Sequence, residues 1–176
     1  MKKHPVYIIS FLTILGILCA LLLSLVNLLT APYIEVNANK ELNDKLNNYG
    51  VSLDKVIDEN KNIDKVLASY EGSLKDGTEC YVFEIEEKHS FVDEPYSVFV
   101  IINKENGAII NFFTQGNIAS GGYESHFKNN DLGVIGSNES NFDTKFNHVS
   151  AASYTSNAFK DAFKVAFEQY KEMAGE

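Results

Sequence analysis

The clearest candidate for chemistry in the chain is a cluster of hydroxyl and small residues directly before its last helical pattern. Residues 147–157 read Asn-His-Val-Ser-Ala-Ala-Ser-Tyr-Thr-Ser-Asn. Free backbone N–H groups and the positive end of the helix dipole make a helix N-terminus a natural phosphate site, and small side chains let the backbone approach the anion closely. The segment therefore predicts an anion site. A second interpretation stays open, in which Thr155 or Ser156 merely caps the helix.

Other polar residues of this region form no recognisable catalytic or metal-binding pattern. Nothing in the spacing of His126, Asp131 and His148 fixes two or more ligands around a metal ion. A hydrolase built on Asp143, His148 and Ser150 would lack the Gly-x-Ser-x-Gly elbow that exposes a nucleophilic serine. We therefore predict neither a catalytic residue nor a metal site.

A C-terminal helix is the first element that can position the cluster. Between Ser156 and Lys171, Phe159, Phe163 and Phe167 recur every four residues, with Ala on the same side and charged residues opposite. This pattern predicts an amphipathic helix whose Phe row packs on a sheet.

The sheet is predicted from alternating and β-branched runs in the middle of the chain. Residues 80–86, 96–102 and 108–114 have strand-like patterns, and Asn106-Gly107 between the last two is a strong hairpin signal. The segment 115–154 reads as a long Gly-rich loop, and such a loop inside a compact domain is usually functional or disordered.

The part of the chain before the sheet reads as helical. Residues 33–48 carry apolar positions at helical spacing, Gly50 ends that pattern, and Ser52–Ile57 is interpreted as the start of a second short helix. We assign residues 32–78 to a juxtamembrane helical region and residues 79–176 to the folded domain.

An apolar N-terminal run predicts a membrane anchor. Residues 6–31 carry no charge and are long enough to span a bilayer, whereas the apolar region of a cleaved signal peptide is usually about 7 to 15 residues. Lys2 and Lys3 precede the run, so residues 1–5 are predicted to be cytoplasmic and the domain to lie on the other side of the cell membrane.

Charge and cysteine usage exclude several classes of function. Residues 32–176 contain 13 Lys, no Arg and 24 Asp plus Glu, a formal charge of −11. Nucleic acid is therefore not an expected partner, because phosphate neutralisation needs a basic patch. Cys80 is the one thiol outside the apolar run, so the domain contains no disulfide and no Cys-ligated zinc or iron–sulfur site.

The hydroxyl-rich cluster resembles the flavinylation motif of the FMN-binding domain family that includes the RnfG and NqrC subunits of ion-pumping redox complexes. The family pattern is Asp-x-x-Ser/Thr-Gly-Ala-Ser/Thr-x-Thr, and a flavin transferase links FMN through its phosphate to the hydroxyl of the final Thr. Ser150, Ala152, Ser153 and Thr155 match by position, which implies that Thr155 is the attachment residue. The implied cofactor-binding residues are Ser150, Ala151, Ala152, Ser153, Tyr154, Thr155 and Ser156.

The resemblance extends to the layout of nearly the whole chain. The family has one N-terminal span ending in a sequence like Asn-x-x-Thr-x-Pro-x-Ile, and residues 27–34 read Asn-Leu-Leu-Thr-Ala-Pro-Tyr-Ile. A polar helix, a hairpin, a Gly-containing loop, the motif and a terminal helix follow in both. The resemblance implies an α+β fold, with one transmembrane helix followed by a small FMN-binding-type domain that has a twisted antiparallel sheet and flanking helices.

The function implied is an electron relay through covalent FMN, rather than a stand-alone enzyme. The chain would be a subunit of an Rnf-like or Nqr-like complex, or a related carrier outside the cytoplasm. Its partners would be membrane redox subunits, a flavin transferase and the lipid bilayer. Asn147 stands where the family has Asp and Ala151 where it has Gly. These departures leave open an alternative, an anchored binding or assembly module of the same fold without flavin.

Overall fold

The computed structural model describes residues 5–57, 63–118, 121–128 and 131–175. Within helix α1 (Pro5–Asn48), it describes the side chains of residues 9–26, of residue 40 and of residues from 42 onward. Residues 1–4 of the predicted cytoplasmic segment and the side chains of the 27–34 motif lie outside this description. The chain divides into two compact units, one ending at Lys45 and the other beginning at Leu46.

The first unit is helical and contains the predicted anchor. Ile9–Val26 has a mean hydropathy of 2.7 over 18 residues, and none of this stretch is buried. Its length and composition are sufficient to cross a membrane. The anchor and the helical segment predicted after it belong to one helix, because α1 continues without interruption past Pro32 to Asn48.

The second unit is α+β and is built on an antiparallel sheet of five strands in chain order. Its strands are β1 (Val51–Ile57), β2 (Val66–Leu74), β3 (Glu79–Glu87), β4 (Tyr96–Asn103) and β5 (Ile109–Gln115). The three strands and the hairpin predicted from residues 80–114 are confirmed to within one or two residues.

The hairpin turn illustrates why these residues form this structure. The Asn103 side chain accepts hydrogen bonds from the N–H groups of Glu105 and Asn106, and Gly107 follows with a φ of +67°. A Cβ on Gly107 would lie 2.9 Å from a ring carbon of Tyr170, so both the conformation and the close approach require glycine.

Three helices follow the sheet: α2 (Glu124–Lys128), α3 (Glu139–Lys145) and α4 (Ser153–Ala174). Helix α4 packs on β2, β3 and β4 through the predicted phenylalanine row. Phe159, Phe163 and Phe167 are at most 2% exposed. The predicted terminal helix is therefore confirmed, and it begins three residues earlier than its apolar pattern indicates.

The structure overturns two predictions made for the irregular parts of the sequence. The helix expected from Ser52 is strand β1, and residues 66–74 of the supposed juxtamembrane region form β2, so the folded unit begins at Leu46 rather than at residue 79. The segment predicted as one Gly-rich loop contains α2 and α3, with buried apolar side chains throughout its described residues.

Candidate functional site

A pocket lies at the N-terminus of α4, where the hydroxyl-rich cluster meets two other parts of the chain. Its volume is about 390 Å³, within the range of small-molecule sites. The lining residues are Phe91, Gly121, Ala151, Ala152, Ser153, Tyr154 and Thr155. Five of the seven predicted site residues thus line one pocket.

A tight turn presents these residues to the pocket. The N–H of Ala152 donates to the carbonyl of Val149 over 3.2 Å, which closes the turn around Ser150 and Ala151. Ala151 has a φ of +66°, one of two positive values at non-glycine residues in the described part of the chain. A positive φ at the third position of a turn favours glycine, so Ala151 holds a glycine conformation at the position where the resembling family has glycine.

The helix that follows this turn starts without a side-chain cap. Its N-cap is Ala152, which makes no capping hydrogen bond from its side chain. The interpretation that Thr155 or Ser156 serves as the cap is therefore wrong. The N–H groups of the first turn of a helix have no partner within the helix, and here the residues that carry them line a pocket. Because no described charged side chain lines that pocket, the helix start supplies its positive potential.

Thr155 lies on the first turn of α4 and is only 2% exposed. Its Oγ1 lies 3.3 Å from Nε2 of His89, a residue of the β3–β4 connection. The hydroxyl is thus oriented by a side chain 66 residues earlier in the sequence.

His89 is itself held on several sides. Its Nδ1 accepts a hydrogen bond from the N–H of Phe91 over 3.3 Å, and its Nε2 lies 3.0 Å from the carbonyl oxygen of Ile118. Since a carbonyl can only accept, these partners select the neutral tautomer with its proton on Nε2. The ring of Tyr96 packs edge-on against the imidazole at 5.9 Å. Burial, together with the Glu87 carboxylate, raises the pKa of Tyr96, so its hydroxyl stays protonated.

Two exposed aromatic rings form the outer wall of the pocket. Phe91 and Tyr154 meet edge to face with ring centroids 5.1 Å apart, and they are 66% and 57% exposed. Exposed aromatic pairs of this kind offer a surface on which a planar ring can stack. Two other aromatic residues of the preceding segment lie elsewhere: Phe127 is buried against Phe159, and Tyr123 lies at a neighbouring pocket.

The remaining predicted residues serve other parts of the structure. Ser156 is buried, and its Oγ accepts a hydrogen bond from the N–H of Val149 over 3.1 Å, which fastens the turn to the helix. Ser150 lines the neighbouring pocket of about 290 Å³, beside His148 and the hydrogen-bonded pair of His126 and Asp131.

Asn147, at the position of the family's Asp, is exposed and lies outside the pocket lining. Its backbone N–H donates to the carbonyl of Leu132 over 2.8 Å. Its side-chain amide lies against Gly133, where an added Cβ would be 2.8 Å from Nδ2. The residue joins the turn to the preceding loop and does not approach Thr155 among the contacts of the described residues.

Two residues of the site, His89 and Phe91, are not predicted by the sequence. Both belong to the short connection between β3 and β4, where no motif or periodicity marks them. The fold alone brings them to α4, because β4 lies beside β3 and α4 packs across both strands.

No family model matches the chain, and no curated protein matches it. The observations that bear on function are therefore the motif and the geometry of this pocket.

Proposed function

We propose that the chain is a membrane-anchored flavoprotein that relays electrons through FMN linked by its phosphate to Thr155. Its domain would lie outside the cytoplasm, as a subunit of an Rnf-like or Nqr-like redox complex or as a related carrier. The observation that carries the proposal is the conformation of Ala151, which has a φ of +66° within a turn that leads into an uncapped helix. A positive φ at this position is a physical reason for the glycine of the resembling family, even though this chain has alanine there.

The pocket offers each part of FMN a suitable surface. Uncapped N–H groups at the start of α4 are donors for a phosphate, and their dipole favours its negative charge by about 0.3–2 kcal/mol. The flat faces of Phe91 and Tyr154 suit an aromatic ring system. Ala151 and Ala152 have side chains small enough to leave the backbone accessible. No arginine or charged lining residue among those described competes with this arrangement.

A covalent link fits the predicted location of the domain. A flavin held by affinity alone would be lost outside the cytoplasm, whereas a tether keeps it at a millimolar or higher effective concentration beside the pocket, as for a short linker. The bound flavin would supply the redox chemistry. The residues of this chain would hold the phosphate, orient the ring and exclude water from one of its faces.

One observation favours the alternative of a flavin-free binding or assembly module. Thr155 is 2% exposed and its hydroxyl is already engaged by His89, so a transferase must open the site before it can reach Oγ1. The two proposals differ in whether that opening occurs in the cell.

Intact mass of the full chain from its native host distinguishes these proposals. We expect a mass excess of one FMN less the one water lost in forming the phosphodiester, mapped to the peptide containing Thr155, with fluorescence that survives denaturation. Thr155→Ala should abolish the excess and Thr155→Ser should retain it, because Ser keeps the hydroxyl. Thr144→Ala is the matched control, since Thr144 is an exposed threonine of α3 outside the pocket lining. An unmodified wild-type chain, in a host whose other flavinylated proteins are modified, would refute the flavoprotein and support the binding module.

Protease treatment of intact cells and of opened cells tests the orientation. A domain outside the cytoplasm should be digested in cells whose outer layers are removed but whose cell membrane is intact. Protection under those conditions, with digestion only after lysis, would place the domain inside and contradict the proposal.

A further inference from the structure

We propose that His89 binds the phosphate esterified to Thr155, an inference that rests on the proposed flavin link. The Oγ1 atom of Thr155 lies 3.3 Å from Nε2 of His89. A phosphorus atom bonded to Oγ1 is one covalent bond from that atom, so its free oxygens fall within reach of the imidazole. No other described side chain is within hydrogen-bond distance of the Thr155 hydroxyl.

The chemistry of His89 suits an anion at this place. Its neighbours select the tautomer with the proton on Nε2, so the nitrogen that faces Thr155 is already a donor. That proton is shared with the carbonyl of Ile118 at 3.0 Å, a neutral acceptor. A phosphate oxygen is a stronger acceptor than a carbonyl, because charge-assisted hydrogen bonds are roughly twice as strong as neutral ones.

Among the residues that the structure describes, the rest of the site offers no competing cationic partner for the phosphate. The chain contains no arginine, and the described lining of the pocket contains no lysine. Lys65, which lies on the same side of the sheet as α4, is engaged by Glu87 and Asp161. His89 therefore complements the backbone N–H groups at the start of α4, approaching Thr155 from the β3–β4 connection.

The imidazole needs little rearrangement to take this role. The N–H of Phe91 fixes Nδ1, and the rings of Phe91 and Tyr96 pack edge-on against the imidazole at 6.4 and 5.9 Å. A donor that is held in place before the ligand arrives pays less ordering entropy on binding. The same contacts make His89→Phe a suitable test, because a phenyl ring keeps the packing and removes the donor.

The test uses ³¹P NMR of the flavin-linked full chain in detergent micelles, with intact mass measured first. We expect the phosphodiester resonance of His89→Phe to differ from that of wild type. His89→Gln, which keeps a side-chain N–H donor, should restore most of the wild-type shift. His148→Gln is the matched control. His148 is an exposed histidine in the segment that contains Thr155, but it contacts Phe146 rather than Thr155, so the spectrum of this variant should match wild type.

A second measurement needs no folded His89→Phe chain. The Nε2–H signal of His89 should move between the flavin-linked wild-type chain and the unlinked wild-type chain produced without a flavin transferase, by more than the signals of His126 and His148. An unchanged Nε2–H signal, or identical ³¹P spectra in linked wild type and His89→Phe, overturns the role of His89 while the flavin link stands. Absence of the FMN mass in wild type overturns the flavin link and this inference together.

Discussion

Replacing Ala151 with glycine is expected to stabilise the folded domain by about 0.5–1 kcal/mol. A left-handed conformation costs an alanine about 1–2 kcal/mol, and glycine adopts it freely. Glycine also loses more conformational entropy on folding, which opposes this gain by about 0.4–1 kcal/mol. The Ala151 side chain is exposed, so its removal forfeits no core packing. The net gain corresponds to a rise in Tm of about 2–4 °C for a domain of this size.

Two matched variants isolate the backbone effect in urea and thermal unfolding of the full chain. Gly136→Ala makes the reverse change at a φ of +73°, where no atom lies within 4 Å of the added Cβ, and should lower stability by a similar amount. Ser150→Gly changes the preceding exposed residue of the turn, whose φ is not positive, and should lower stability by about 0.4–1 kcal/mol through entropy alone.

The sign of the Ala151→Gly effect decides whether the reasoning holds. If Ala151→Gly and Ser150→Gly lower the urea midpoint equally, Ala151 bears no strain and the turn has an ordinary backbone. The backbone of this turn would then give no physical reason for the family's glycine, whatever the chemical state of Thr155.

Three further predictions concern the core, a buried carboxyl and a buried thiol. Phe163→Ala should destabilise the domain by about 3–5 kcal/mol in urea unfolding, because Phe163 is fully buried under the sheet; a loss below about 1 kcal/mol would contradict the assigned core. Burial raises the pKa of the Glu87 carboxyl above its ordinary 4.5, despite Lys65, so its contribution to stability is present below pH 4.5 and disappears as the pH rises through the folded-state pKa. The urea midpoint of Glu87→Gln should therefore decline less than that of wild type from pH 4.5 upward, and parallel profiles would refute this assignment. Burial also raises the pKa of the Cys80 thiol to about 11, so a charged maleimide at neutral pH should label Cys80 only after denaturation, as read by peptide mass.

The parts of the fold that the sequence predicts are those specified by local signals. Asn106-Gly107 sets a hairpin between two β-branched runs, and the four-residue spacing of Phe159 and Phe163 sets the buried face of α4. Each signal lies within about a dozen residues of the element it specifies. The structure therefore departs from these predictions only at element ends.

The sequence alone does not predict strands β1 and β2, because they are stabilised by pairing with neighbouring strands and carry no clear strand pattern of their own. β1 has exposed residues on both faces, and the register shift between Leu53 and Lys55 interrupts its alternation, so its sequence fits a helix equally well. β2 depends on both neighbours. Within it, a Cβ on Gly72 would lie 2.6 Å from the carbonyl oxygen of Ser52, so the glycine that reads as a turn signal instead permits two strands to approach closely.

The candidate site also contains residues that the sequence predicts and residues that only the fold brings together. Residues 151–155 are contiguous in sequence, and a motif on one turn and one helix start can be read without knowledge of the fold. His89 and Phe91 lie in the connection between β3 and β4, and they reach that motif only because α4 packs on both strands. A single sequence carries no sign of such a contact, which spans 66 residues.

The two departures from the family motif carry different weight once the backbone is known. Ala151 has the side chain of alanine in a conformation that favours glycine, and that side chain is exposed. Asn147 has the shape of Asp without its charge. It is exposed and does not line the pocket, so the loss of charge leaves the pocket lining unchanged. An effect of Asn147 on flavin attachment would therefore act through a partner that contacts the surface, such as the proposed flavin transferase. If the wild-type chain carries no FMN and the Asn147→Asp variant does, then recognition by the transferase limits attachment in wild type, and the pocket itself can accept the flavin. An unmodified Asn147→Asp chain would instead point to the buried hydroxyl of Thr155 and to the binding module.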